Sequence, residues 1–485
     1  MNDSNEILEV DVAVIGAGSA GLVAFRQASK YAERVVLIEG GDYGTTCARV
    51  GCMPSKLLIA AAEAAHSARH AEQFGVHAES LRVDGPAVME RVRRERDRFV
   101  GFVLESVEGI PARQRIRGMA RFVDAHTLAI DDGPRIHAER VVIATGSRPH
   151  VVPFLRDAGE RLVTNDEVFD WRDLPESVAV FGPGVIGLEL GQALARLGVR
   201  VRMFGVGGAI GPIQDPEIRR IALETFNEEF PLDPDAETTG IREVEHGVEV
   251  SFKDDSGNEQ TETFEKLLAA TGRRPNVDGL GLENTGLELD DNGMPVFDRH
   301  TLRCGDSSIF IAGDANNEVP ILHEAADEGR IAGANAGRYP TVQAGRRRTP
   351  LSIVFTDPQI ATVGLTIQQT DERCRGRFAI GSVDFSGQGR SRVMGRNRGL
   401  LRVYGEHGSG RFMGAEMFGP AAEHIGHLLA WSAQQRLDVD EMLDMPFYHP
   451  VIEEGLRTAL RDLHDQLLLG PELPADECMD CGPGT

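Results

Sequence analysis

The chain is short of lysine, of cysteine, of positive charge and of long apolar runs. Only four of its 51 basic residues are lysines (Lys30, Lys56, Lys253 and Lys266), so a lysine inside a motif stands out from the arginine that covers the surface. The formal net charge of -24 leaves no basic surplus to meet phosphates, which argues against a nucleic-acid partner and against docking on anionic membranes. No apolar run approaches the ~20 residues of a membrane span. Met1 to Glu9 is polar and acidic, without the basic and apolar regions of a signal peptide, so a cytoplasmic protein with no membrane partner is expected. Six cysteines among 485 residues do not form a secreted disulfide framework. The length itself exceeds one compact core and points to about three domains.

Two of the cysteines, Cys47 and Cys52, lie close together in G-T-T-C-A-R-V-G-C-M-P-S-K, Gly44 to Lys56. An Ala-rich run from Leu57 to His70 follows and reads as a helix, with Pro54 suited to its first turn. On a regular helix, positions i and i+5 point roughly 140° apart. A disulfide between these two therefore requires a distorted turn and would be easily reduced. The helix dipole also favours a thiolate at Cys52. A redox pair is one reading; two buried free cysteines are the other.

Val10 to Ile15 is an apolar strand running into G-A-G-S-A-G (Gly16, Gly18, Gly21), a helical run to Tyr31, and a second strand, Arg34 to Ile38, that ends on Glu39. Strand, glycine turn, helix, strand and terminal acid together form a dinucleotide-binding fingerprint, with Glu39 placed for a ribose hydroxyl. The pattern restarts at Ser177 to Phe181 with G-P-G-V-I-G (Gly182, Gly184, Gly187), the helix Leu188 to Leu197 and the strand Val199 to Phe204. Two such folds imply two dinucleotides, and electron transfer between them is the simplest purpose. Each half closes on a similar segment, A-T-G-S-R-P at Ala144 to Pro149 and A-T-G-R-R-P at Ala270 to Pro275. The second fingerprint lacks its strand-end acid, having Phe204 and Gly205 there, with Arg200 and Arg202 upstream and no arginine in Val206 to Gly208. Glycine at position 187 tilts the choice towards NAD over NADP.

A strand at Ser308 to Ala312 leads to I-A-G-D-A-N, whose Asp314 either bonds a cofactor hydroxyl or caps a turn. The stretch Tyr339 to Pro350 reads as a linker, and beyond it β-like runs mix with helices in an α+β domain. There, F-Y-H-P-V-I-E-E sets His449 five residues ahead of Glu454, so that the carboxylate can orient the imidazole, though a lone histidine is more often structural.

With these motifs in hand, G-T-T-C-A-R-V-G-C-M-P-S-K resembles the G-G-T-C-x-x-x-G-C-x-P-S-K signature of the class I pyridine nucleotide-disulfide oxidoreductases. Both A-T-G segments, I-A-G-D, F-T-D-P-Q-I-A-T-V-G-L (Phe355 to Leu365) and H-P-x-x-x-E follow in the family's order, from Val10 to about Leu469. Within the family, L-H-E-A-A-D-E-G is similar to a segment of dihydrolipoamide dehydrogenase. The resemblance implies an α/β fold with two Rossmann-like domains and a C-terminal α+β dimerisation domain. Residues 1–150 and 276–345 would bind FAD, 151–275 NAD (NADP possible), and 346–470 would form the interface of a homodimer. It implies Cys52 against the flavin, Cys47 exchanging with substrate, and His449 and Glu454 serving the other subunit's cysteines. Lys56 and Glu189 match an ion pair beside the flavin. Glu39, Asp314, Thr145 and Gly146 match FAD contacts, and Gly272 closes the second half. The expected reaction passes electrons between a dithiol, on a lipoyl-bearing protein or a small molecule, and NAD through FAD and the Cys47–Cys52 disulfide.

Departures remain. Thr45 stands for the signature's second glycine and Val451 for the usual threonine after His-Pro. A Pro- and Gly-rich tail, residues 471–485, carries Cys478 and Cys481 as C-M-D-C. It is expected either to relay electrons, making the protein an NAD(P)H-dependent reductase of another disulfide or of a metal, or to be incidental. Two thiols make an incomplete zinc site, so no metal is assigned.

Overall fold

Apolar strands that run straight into glycine turns build two sheets, the first parallel at its centre with an antiparallel edge and the second parallel. The computed structural model describes residues 7–77, 80–131, 133–254 and 256–469. In the first sheet the strands lie in the order Arg115–Arg117, Val35–Glu39, Ile7–Ile15, Arg135–Ile143, Thr127–Ile130, Ala120–Phe122, and Ile309–Ile311 joins alongside Arg135–Ile143. Ile7–Ile15 pairs in parallel with both of its neighbours. Val12, Ala13, Val14 and Leu37 are fully buried, so these strands read as continuous apolar runs rather than alternating ones. The second sheet orders Leu232–Asp233, Arg200–Phe204, Ser177–Phe181, Lys266–Ala269 and Leu162–Val163, parallel throughout. Beyond residue 350 a five-stranded antiparallel sheet carries the helices Ala422–Gln435 and Glu454–Gln466. The two dinucleotide-type folds and the α+β third unit are those the sequence predicts.

The near-identical A-T-G segments meet each other. Ser147–Pro149 and Arg273–Pro275 pair antiparallel, with Arg274 opposite Arg148, so the second sheet's unit is entered and left through one two-stranded ribbon. Arg402 and Tyr404 of the third unit help to fix that unit in place. Asp215, fully buried, accepts from Arg402 at 2.8 Å and from Tyr404 Oη at 3.2 Å.

Three features add to the sequence reading. The helix read over Leu57 to His70, with Pro54 in its first turn, spans Cys52 to Arg69, so Cys52 is its first residue. Tyr339 to Pro350 has no regular structure, as a linker should, yet it is pinned: Arg347 is 11% exposed and pairs with Glu324 at 3.1 Å and Glu328 at 2.8 Å. A three-stranded antiparallel sheet, Thr238–Val244, Gly247–Lys253 and Glu259–Phe264, went unread. Its outer strands bury few side chains, which leaves little apolar alternation to read. The C-M-D-C tail lies outside the described residues. Among the described residues no helix is long and apolar enough to cross a membrane.

The first glycine turn is held by a close helix pair. Ser19–Ala28 lies against Leu322–Arg338 so tightly that a Cβ at Gly329 would sit 2.2 Å from Ala20 O, and one at Gly333 would sit 2.2 Å from Ala24 O. Gly333→Ala must push the helices apart, and we expect it to cost about 1–3 kcal/mol by denaturant unfolding. A variant as stable as the parent would contradict this account of the contact.

Candidate active site

The cysteine segment is two helices broken at a glycine. Thr46–Val50 and Cys52–Arg69 meet at Gly51, whose φ of -128° and ψ of -119° interrupt the helical path. A Cβ at Gly51 would stand 3.2 Å from Cys47 Cα, so the missing side chain lets the two turns fold onto each other. This is the distortion that the cysteine spacing demands. Both sulfurs are free thiols and hydrogen-bond each other. That bond makes them unequal. Donation from Cys47, helped by the charge of Lys56, brings Cys52 down to about 7. The same bond and its own burial push the Cys47 thiol up. The first proton to leave the pair belongs to Cys52.

Lys56, on the first turns of the cysteine helix, reaches across to the helix Val185–Arg196 of the second sheet's unit. Its Nζ lies 2.9 and 2.7 Å from the two oxygens of Glu189, which is 4% exposed, and 4.6 Å from the centre of the Phe355 ring. Glu189 also accepts from Phe355 N at 3.0 Å. Further along the same helix face, Gln192 exchanges two hydrogen bonds of 2.8 Å with the backbone of Asp357. Arg196 meets the Asp357 carboxylate at 3.0 Å and Glu229 at 2.6 Å. Sequence reasoning missed Gln192, Arg196 and Asp357. Polar residues at i, i+3 and i+7 on an otherwise apolar helix were the available signal.

The two glycine turns superimpose in their chemistry. Gly16 has φ +105° and a Cβ there would meet Ala144 O at 2.2 Å; Gly182 has φ +103° and would meet Ala270 O at 2.4 Å. Gly21 and Gly187 are closed by Gly16 O and Gly182 O in the same way. At Gly18 and Gly184 a Cβ would meet nothing within 4 Å. Each cap is a helix N-terminus with no side chain upon it, so free backbone amides face an open cradle in both units. Around the first cradle, Glu39 accepts from Ala17 N and Gly41 N at 2.7 Å each, and Asp314 accepts from Ser147 Oγ at 2.7 Å instead of capping its turn. Thr145 Oγ1 is buried without any hydrogen-bond partner, beside Gly146 at φ +68°. An orphaned hydroxyl next to an open cradle fits a bound polar ligand such as FAD. Gly272, at φ +104°, holds the corresponding corner of the second unit open.

His449 and Glu454 pair as expected. The imidazole Nδ1 lies 3.0 and 3.1 Å from the two carboxylate oxygens, and Val451 N donates to the same carboxylate at 3.2 Å. The hydrogen bond from His449 holds Glu454 below the usual carboxylate range. The His449 side chain is 81% exposed, so its other nitrogen is free to meet a thiol from outside. Neither cysteine of its own chain is among its hydrogen-bond partners.

Residues 10–329 match the family described as pyridine nucleotide-disulphide oxidoreductase, and residues 351–460 match that family's dimerisation domain. A dihydrolipoyl dehydrogenase of Haloferax volcanii is 31% identical over 470 residues, 94% of this chain and 97% of that protein. A mercuric reductase of Acidithiobacillus ferrooxidans is 30% identical over 484 residues, 94% of this chain and 83% of that one. Among solved structures, LpdA from Mycobacterium tuberculosis aligns with a TM-score of 0.79 at 26% identity, covering 93% of this chain and 99% of its own.

Two outcomes follow. In the reduced protein, the ultraviolet thiolate absorbance that Cys52→Ser removes should rise through a midpoint near pH 7 and vanish as pH falls below it; a midpoint above 8.5, the value of a free cysteine, would contradict the asymmetry. The second concerns Thr45, at φ +60° and ψ 147°, a conformation suited to glycine, with its hydroxyl accepting from Ala48 N. Thr45→Ala keeps the strain and loses the cap, so it should be less stable than the parent by about 1 kcal/mol in denaturant unfolding. Thr45→Gly relieves the strain and should match or exceed the parent.

Proposed function

The chain belongs to the pyridine nucleotide-disulphide oxidoreductase family, and we propose that within it the protein oxidises dihydrolipoyl groups on a carrier protein, as a homodimer, with NAD as acceptor. It is a flavin-dependent oxidoreductase of the type that uses FAD and NAD(P). The observation that carries the reading is the polarised thiol pair beside a lysine. Of the chain's four lysines, the one that follows the cysteines is fixed by a bidentate carboxylate next to them.

The protein's part of the chemistry is thiol exchange. With Cys47 and Cys52 joined, a substrate dithiol gives a proton to the exposed nitrogen of His449, held in place by Glu454 through Nδ1. The resulting thiolate attacks Cys47, the bond between Cys47 and Cys52 breaks, and Cys52 leaves as the thiolate. Cys52 is the better leaving group because its thiolate is the more stable of the two. The second substrate thiol, deprotonated in turn, attacks the substrate sulfur of the mixed disulfide and releases Cys47. The substrate has then lost two electrons, and the cysteine pair holds them. FAD when bound supplies two-electron acceptance from a thiolate, and the nicotinamide supplies acceptance of hydride. Gly16, Gly18, Gly21, Glu39, Thr145, Gly146 and Asp314 would hold the first, and Gly182, Gly184, Gly187 and Gly272 the second. Lys56 would face the flavin as a positive charge whose position Glu189 fixes.

His449 lies far out on the surface of the third unit, and the match to a dimerisation domain supports its serving the cysteine pair of another subunit. The substrate class rests on similarity to dihydrolipoyl dehydrogenases across nearly the whole chain. A second reading, reduction of another disulfide or of a metal through Cys478 and Cys481, is favoured by the C-M-D-C tail and by a mercuric reductase of similar identity.

Steady-state assays with dihydrolipoamide and NAD separate the two. Cys47→Ser and Cys52→Ser should abolish turnover, and His449→Gln should lower it by about 10²–10⁴. Deleting residues 471–485 should leave it unchanged. Activity confined to mercuric ion or glutathione disulfide, and lost with the tail, would sink the lipoyl reading.

A further inference from the structure

The second cradle lacks the acid that ordinarily ends its returning strand, and the structure shows what occupies that corner instead. Gly205 has no room for any side chain: a Cβ there would lie 2.5 Å from Pro234 O and 2.8 Å from Pro183 Cγ. The backbone of Asp233–Ala236 is laced onto it, with Gly205 N donating to Asp233 O at 2.7 Å and Ala236 N donating to Gly205 O at 3.0 Å. This segment follows directly from the neighbouring parallel strand, where Asp233 stands in register with Phe204. It brings a carboxylate of its own to the corner. Asp235 accepts from Gly207 N through Oδ1 at 2.7 Å, while Asp233 Oδ1 steadies Asp235 by accepting from its amide at 3.0 Å.

The same contacts remove the groups that would bind a phosphate. The amides of Gly207 and Gly208 point to Asp235 and to Pro234 O, at 2.7 and 3.0 Å. The two arginines of the strand face the other way. Arg200 pairs with Glu262 at 3.1 Å over the Phe264 ring, and Arg202 pairs with Glu262 at 2.9 Å over the Phe252 ring. Both are tied to the antiparallel sheet rather than to the nucleotide corner.

We propose that Asp235 is the residue that selects NAD over NADP, its carboxylate taking the place of the missing strand-end acid by accepting from the adenosine ribose diol and repelling a 2′-phosphate. The proposal rests on reading the second glycine turn as a pyridine-nucleotide site. Asparagine at 235 retains the oxygen that accepts from Gly207 N and removes only the charge, so a loop held merely for structure would not notice the change.

Calorimetric titration of the purified flavoprotein with ADP-ribose and with 2′-phospho-ADP-ribose tests it without reference to turnover. The parent should bind ADP-ribose and discriminate against the 2′-phosphorylated form. Asp235→Asn should tighten binding of the phosphorylated form by about tenfold while weakening ADP-ribose only a few-fold. The ratio of kcat/KM for NADH and NADPH should move by the same factor. A parent that prefers the phosphorylated form, or an Asp235→Asn ratio equal to the parent's, overturns the role of Asp235 and leaves the nucleotide site standing. A parent that binds neither probe overturns the nucleotide site, and the proposal with it.

Discussion

The bidentate contact between Lys56 and Glu189 is the joint on which the rest depends. It links the helix that begins at Cys52 to the helix that begins above the second glycine turn, and Glu189 accepts in addition from the backbone of the third unit at Phe355. A charged pair with one partner 4% exposed is costly to desolvate and stays only where geometry and further hydrogen bonds repay that cost. Here they do, because Gln192 and Arg196 hold Asp357 along the same helix face. The three units therefore meet at the one lysine that stands beside the cysteines. Its position, and with it the local potential at Cys52, is a property of the whole assembly of helices rather than of one loop.

That potential acts on a pair whose chemistry is already asymmetric. Gly51 breaks the helix so that Cys47 can donate to Cys52, and donation in one direction makes one sulfur the thiolate and the other the thiol. An exchange reaction needs this division, since attack should fall on the sulfur whose partner leaves most readily. Thr45, held at positive φ two residues before Cys47, serves the same arrangement: the bend that aims the short helix Thr46–Val50 is fixed by a residue whose hydroxyl caps it. The histidine proposed to collect the substrate's proton sits elsewhere, exposed and oriented by Glu454, so that under this proposal a single chain presents two halves of a site.

Most of this could be read from the sequence. The two glycine turns were legible because tight-turn glycines, apolar strands and a returning strand recur at fixed spacing, and the structure repeats even their contacts, Gly16 against Ala144 and Gly182 against Ala270. Lys56 stood out through the scarcity of lysine, and His449 and Glu454 through their separation of five. The antiparallel sheet from Thr238 to Phe264 was not legible, since its outer strands are exposed on both faces. Nor was the clamp of Gln192 and Arg196 on Asp357, because Asp357 is distant in sequence from the helix that holds it and meets it only when the third unit docks. The pairing of the two A-T-G segments was visible as a repeat but not as a contact, because register between distant strands leaves no local trace. Asp235 was hidden for a related reason: it lies in the turn after the neighbouring strand Leu232–Asp233, not at the end of the strand that the fingerprint describes.

The account's central claim is the division of labour between the two sulfurs, and trapping the mixed disulfide tests it most directly. Cys52→Ser, incubated with an activated lipoyl disulfide and digested under non-reducing conditions, should carry the adduct on Cys47 when mapped by mass spectrometry, and Cys47→Ser should carry none at Cys52. An adduct on Cys52, or one found only on Cys478 or Cys481, would contradict the account.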